Sequence, residues 1–203
     1  MRLRQTVWRA HHPRWSFAPD SGAGAAFHGG RFNRISTPAL YTSLRFETAW
    51  LEAQQGFPFK AQPMTICGYE VDCEDIVDLA DPEGRASLGI KLADLKCGWA
   101  GMVDRGLVPP SWSVASRLME TGCAGILVNS FASGATEDDV NVVFWHWAPE
   151  PPHQVRVIDP GGRLPQNDLS WRWTVQTRSP PAINSAAVPA APAPPPWPGC
   201  RTP

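Results

Sequence analysis

The chain reads as an α+β domain, a mixed β-sheet with a few packed helices. Two observations predict this. Residues Ala124–Asn129 (AGILVN) and Val140–Trp147 are strongly apolar runs of strand length, and Met64–Val71 (MTICGYEV) alternates with period two. Helical patterns lie between some of these strands, but without the regular strand–helix–strand alternation of a doubly wound sheet.

Taken in order, Thr6–Ala10 is the first short strand. His11–Gly30, rich in Gly, Pro, Ser and Asp, is a long loop, and a loop of that length in a compact domain usually has a function. Pro38–Ser43 (PALYTS) forms a second strand. From Arg45 the period becomes helical, with Phe46, Ala49, Trp50 and Ala53 as an apolar stripe that Gly56 and Pro58 end. Met64–Val71 and Ile76–Leu79 are strands, and Ser87–Met102 is a weakly patterned helix. Ser111 is a plausible N-cap for a helix through Glu120 that Gly122 terminates. Ala124–Asn129, Val140–Trp147 and Gln154–Ile158 complete the strands.

The last 25 residues, Ser179–Pro203, carry nine prolines and no apolar period. That composition favours polyproline II or disorder, so the expected division is a domain over 1–178 and a tail over 179–203. Ten tryptophans are many for this length, and those within the expected domain read as large apolar payload.

With 18 basic and 19 acidic residues, the chain does not look like a general nucleic-acid binder. The charge is uneven. Residues 1–34 hold six arginines and one acid, Asp20, whereas residues 70–83 hold seven acids and no base. The acidic stretch reads as a solvated edge. The arginine-rich start leads into Gly29–Arg31 and suits a phosphate-bearing ligand or an acidic protein. Five cysteines without a CxxC pair suggest neither a disulfide framework nor a zinc site, and His11, His12 and His28 are too loosely spaced for a metal set. No apolar run reaches membrane-span length, so a reduced, cytoplasmic protein is expected.

Several motifs point to chemistry. Ser21–Ala26 contains GxG but lacks the preceding strand, third glycine and later acid of a dinucleotide fingerprint. In Gly29–Gly30–Arg31, the glycines permit close backbone approach and the arginine offers a planar fork for phosphate oxygens. Tyr41 sits on the following strand, with Thr42 and Ser43 hydroxyls near its end. Glu52 flanks the apolar stripe of the next helix and can reach a cleft at its edge; Glu47 is its competitor. Asn129–Ser130 end the strongest strand, and Phe131–Asp139 is a loop able to cover a site. No GxSxG surrounds Ser130 and His146 has no obvious acid partner, so a Ser–His–Asp hydrolase is a weak reading. A non-catalytic binding module, with a polyproline tail as bait, is the reading from another class.

Together these segments resemble the RES-domain toxins, especially the ParT branch. The resemblance rests on Trp8–Arg9, Gly22–Gly24, Gly29–Gly30–Arg31–Phe32–Asn33, Leu40–Tyr41–Thr42–Ser43, Glu52, Asn129–Ser130 and Asn141–Val142–Val143, and spans residues 6–160. Phe32 stands where Trp is commoner, and Asn129 where many members have Pro, which leaves Ser133 as a substitute for Ser130. The resemblance implies an ADP-ribosyltransferase-like fold, NAD as substrate and no metal. It implies catalytic roles for Arg31, Tyr41, Glu52 and Ser130, and NAD contacts from Gly30, Arg31, Asn33, Tyr41 and Ser43. It also implies a bacterial toxin with an Xre-like antitoxin that blocks the active site. Such toxins either transfer ADP-ribose to a host protein or break NAD down.

Overall fold

The computed structural model describes residues 1–54 and 63–169. They belong to one compact unit, Met1–Trp171. Seven strands form one sheet: β1 (Leu3–His11), β2 (Leu40–Ser43), β3 (Thr65–Cys73), β4 (Ile76–Asp78), β5 (Gly125–Asn129), β6 (Val140–Phe144) and β7 (His153–Val157). Their order is β4-β5-β6-β2-β1-β3-β7, and only β4–β5 is parallel. This is the α+β, mixed-sheet class that the strand pattern predicts.

Both faces of the sheet are covered, because alternate residues of its central strands are apolar on each side. On one face Val7, Leu40, Tyr69, Val142 and Phe144 share a core. On the other, Ile126, Val128 and Val143 pack with Leu95 of α4 (Leu92–Leu95) and Val114 and Leu118 of α6 (Pro110–Glu120). The pairing of β1 with β2 is confined to Trp8 and Ser43. Beyond that pair the two strands part, and this places an opening in the middle of the sheet.

Several elements differ from expectation for identifiable reasons. The loop His11–Gly30 contains a 3-10 turn at Pro13–Trp15 and a short helix, α1 (Ala23–His28). α3 (Pro82–Ser87) ends where the expected helix Ser87–Met102 begins, and that run forms two short helices instead, α4 and α5 (Trp99–Val103). Gly89, at φ 64°, lies between α3 and α4, and Gly98 caps α5. Ser111 is not the N-cap of α6. Pro109 takes that position with Pro110 in the first turn, and Ser111 is buried behind it. Helix α2 (Phe46–Ala53) buries Thr48 and Ala49, while Phe46 and Trp50 are exposed. Gly56 and Pro58, expected to stop α2, and the tail 179–203 lie outside the described residues. Among the described residues no helix is long and apolar enough to cross a membrane.

Gly125 opens β5 between β4 and β6. A Cβ there would sit 2.5 Å from the Val143 carbonyl oxygen and 3.1 Å from Ile76. Gly125→Ala should therefore destabilise the domain by about 1–3 kcal/mol through overpacking, read as a lower urea midpoint at unchanged m-value.

Candidate active site

The loop after α1 is folded around one buried amide. Asn33 is 1% exposed. Its Nδ2 donates to the carbonyls of Ala25, Arg34 and Thr37 at 2.8, 3.1 and 2.9 Å. Its Oδ1 accepts from the Tyr41 hydroxyl at 2.7 Å, and that hydroxyl accepts from the Phe32 N–H at 3.0 Å. Burial pushes the Tyr41 phenol above its ordinary pKa, which keeps it protonated as the donor this bond needs. Two indoles close the loop from outside: Trp112 Nε1 donates to the Gly30 carbonyl at 2.7 Å and Trp145 Nε1 to that of Phe32 at 2.9 Å. A Cβ on Gly30 would lie 2.5 Å from both Asn33 Oδ1 and Tyr41 Oη, so a side chain there would break the knot.

The loop thereby presents Arg31. Its Nη1 donates to the carbonyls of Leu95 at 3.2 Å and Cys97 at 2.5 Å, and its guanidinium lies 5.1 Å from the centre of the Phe131 ring. Both hydrogen bonds leave through one nitrogen, so Nε and Nη2 are the edge of the fork left for an anion. Burial lowers the Arg31 pKa, opposed by the nearby Cys97, Glu52 and Tyr41.

Glu52, near the end of α2, is fixed by groups from two strands. Its Oε1 accepts from Ser130 Oγ at 2.6 Å and from Asn141 Nδ2 at 2.5 Å. The Asn141 amide is oriented by Ser43 Oγ, which donates to Asn141 Oδ1 at 2.7 Å. One helical turn before Glu52, the fully buried Thr48 donates to Asp139 Oδ1 at 2.5 Å. Asp139 Oδ2 accepts from the Thr136 N–H and hydroxyl, and its backbone carbonyl accepts from the Ser130 N–H at 2.6 Å. Asp139 therefore ties α2 to the same loop that supplies Ser130.

These groups meet at a cleft of about 1040 Å³. Gly30, Arg31, Tyr41 and Glu52 line it, as do Asn141 and Phe131. Three expected site residues do not line it. Asn33 and Ser43 are buried by their own hydrogen bonds, and Ser130 stands behind Glu52; all three hold groups that reach the cleft. The competitors fall outside it: Glu47 is exposed beside Arg45 at 3.7 Å, and Ser133 is exposed. Sequence reasoning quoted Asn141 only within a motif and missed Thr48, Trp112 and Asp139 as supports. The one available signal was a polar residue inside the apolar strand VNVVF.

The model of the RES domain family matches residues 6–172, and the chain belongs to that family. Among solved structures, the chain is similar to one from the Mycobacterium tuberculosis MbcT–MbcA toxin–antitoxin complex. The TM-score is 0.55 at 20% identity, over 78% of this chain and 84% of the other. At that identity the likeness is one of fold. No curated protein matches the chain.

Hydrogen bonds from the Thr136 N–H first, and then from Thr48, hold the Asp139 carboxyl below its usual pKa. A depressed carboxyl adds stability above its unfolded-state pKa of about 3.9 and loses it as pH falls through the folded value. Asp139→Asn should thus be less stable than the native chain at pH 7. The gap should narrow on acidification below about pH 4, which denaturant midpoints across pH would measure.

Proposed function

We propose that the chain is a toxin of a bacterial toxin–antitoxin pair that cleaves the nicotinamide–ribose bond of NAD and transfers ADP-ribose to a host protein. The observation that carries this reading is Glu52, held by Ser130 and Asn141 at the edge of a cleft that also receives Arg31 and Tyr41. Membership of the RES domain family and the fold likeness to a chain from a toxin–antitoxin complex support it.

The bond to be broken makes demands that these residues meet. As nicotinamide departs with the bonding pair, positive charge grows on the ribosyl carbon. Glu52 is a fixed carboxylate facing that charge, so its attraction is strongest in the transition state, where it accelerates the step. Arg31 holds the pyrophosphate with Nε and Nη2. The Tyr41 ring, pinned through its hydroxyl, packs on the nicotinamide. Asn141 fixes the Glu52 carboxylate from the cleft side, and Ser130 does so from behind. An acceptor side chain or water then attacks the ribosyl carbon and loses its proton. NAD is a substrate in this scheme, and no metal takes part.

The fold neighbour comes from a toxin–antitoxin complex. By that analogy we assign this chain an antitoxin partner, and from its family resemblance an Xre-like one that covers the cleft, with a cytoplasmic site of action.

The test is release of nicotinamide from adenine-labelled NAD, with and without bacterial lysate. Label should appear on one lysate protein. Free ADP-ribose or its phosphorylated equivalent, without labelled protein, would mean NAD depletion instead. No NAD consumption at all would leave a non-catalytic binding module. Glu52→Gln should lower the rate at least a hundredfold, about 3 kcal/mol, and a near-native rate would sink the role given to Glu52. Arg31→Lys should weaken NAD binding severely because lysine keeps the charge but loses the fork; unchanged apparent affinity for NAD would remove Arg31 from the pyrophosphate.

A further inference from the structure

The cleft has a second end that the chemistry above does not use. Its wall there comes from β1, beyond the point where β1 leaves β2, and from the segment that follows. Arg9, His11, Trp15 and Phe17 line it. His11 is 7% exposed. Its Nε2 lies 3.3 Å from Ser16 Oγ, and Ser16 Oγ donates to Thr65 Oγ1 at 2.9 Å. A hydroxyl has a single proton, so Ser16 gives to Thr65 and receives from His11. The imidazole proton is thereby placed on Nε2, and Nδ1 is a bare acceptor.

Nδ1 is buried and has no hydrogen-bond partner among the described residues. A buried acceptor without a donor costs about 1–3 kcal/mol. Burial first, with the charges of Arg9 and His12, pushes the His11 pKa down to about 4. The ring is therefore neutral in ordinary conditions and acts as an acceptor. Beside it stand two rings suited to stacking: Trp15, 53% exposed, and Phe17, with centroids 6.4 Å apart. Arg9 is committed through one nitrogen, Nη1, to the carbonyls of Pro19 and Ser21 at 2.8 and 3.0 Å.

Glu52 and His11 line the same cleft of about 1040 Å³, which leaves a second region for the far half of a dinucleotide. Asn141 on β6 and His11 on β1 are two strands apart in the order of the sheet, with the gap between β2 and β1 lying between them. Asn141 is level with Ser43, and Ser43 with Trp8. His11 lies three residues further along β1, an odd step that turns its side chain to the other face of the sheet, and it meets the cleft where β1 has left β2. A flat base stacked on an aromatic, and carrying an N–H donor to meet Nδ1, fits this end.

We propose that Trp15, Phe17 and His11 form the adenine subsite, in which His11 Nδ1 accepts a hydrogen bond from the exocyclic amino group of adenine. This rests on the NAD reading given above. It makes His11 a specificity determinant, because hypoxanthine carries a carbonyl oxygen at that position and would set two acceptors against each other.

The experiment compares NAD with nicotinamide hypoxanthine dinucleotide as substrates of the full chain. The native protein should prefer NAD about tenfold or more in kcat/KM, with the difference chiefly in KM because the base is remote from the breaking bond. His11→Phe keeps a flat ring, removes the acceptor and should abolish the preference. Equal use of the two dinucleotides by the native protein, or a preference that survives in His11→Phe, would overturn the assignment. A binding measurement that needs no turnover accompanies it: the side-chain ¹⁵N resonance of His11 Nδ1 in the native protein, titrated with AMP and with IMP. A shift with AMP alone is expected, and no shift with AMP overturns the subsite even if His11→Phe fails to fold. If neither dinucleotide is consumed but AMP still moves the resonance, the reaction is wrong and the adenine subsite stands.

Discussion

The structure around the cleft depends on one carboxylate being held from two strands. Glu52 is on a helix of only eight residues, too short to fix its own axial position by hydrogen bonding alone. Its side chain meets Ser130 at the end of β5 and Asn141 on β6. One turn back, Thr48 meets Asp139. These contacts give the helix two points of attachment to the same region of the sheet, and two points set both position and rotation. They also explain a sequence oddity. The inward side of α2 is partly polar because its task is to reach hydrogen-bonding groups as well as to fill a core.

A second device of the same kind serves Arg31. A loop that crosses a cleft wall must satisfy its own backbone carbonyls without the help of a strand or helix ladder. Asn33 takes two of them and a third from α1, and returns its own oxygen to Tyr41, while Trp112 and Trp145 take two more. The tryptophans that look like simple apolar payload in the sequence thus act through their indole N–H as well. Buried polar groups in both devices are fully partnered, and such a network rigidifies its surroundings.

Much of this was legible in the sequence where one rule governed one segment. The apolar runs at β5 and β6 are legible because they have strand length and are rich in Val, Ile and Phe, and Gly29–Gly30–Arg31 stands out because two glycines that permit close backbone approach sit beside an arginine fork. Other parts were hidden. The stripe Phe46, Ala49, Trp50 and Ala53 has helical period, yet Phe46 packs edge-on against Trp8 at the surface, 6.3 Å between centroids, and Trp50 is exposed, while Thr48 is buried beside Ala49. Periodicity assumes that apolar means buried, and it fails where a helix docks through hydroxyl and carboxylate groups. The run Ser87–Met102 misled because single glycines are tolerated in helices, and only the backbone shows that Gly89 takes a left-handed φ. Asn33 and Ser43 were placed in the site by resemblance. Sequence position told that they matter but not whether they touch a ligand or hold the group that does.

That difference between touching and holding follows from the sheet itself. Once β1 and β2 part after Trp8 and Ser43, side chains from several strands can face a common cleft, but their backbones no longer brace one another across the gap. The bracing must then come from side chains set behind the lining. Ser43 does this for Asn141, Ser130 for Glu52, Asn33 for Tyr41, and Ser16 and Thr65 for His11. Each pair is a small polar side chain, buried or partly so, that fixes the orientation of a larger one at the wall. A preorganised polar site in a low-dielectric surrounding needs such fixing, because its electrostatic value lies in groups that do not reorient when charge develops. The split in the sheet and the ring of supporting hydroxyls and amides are therefore two aspects of one solution. The first makes room for a long ligand, and the second keeps the walls of that room rigid.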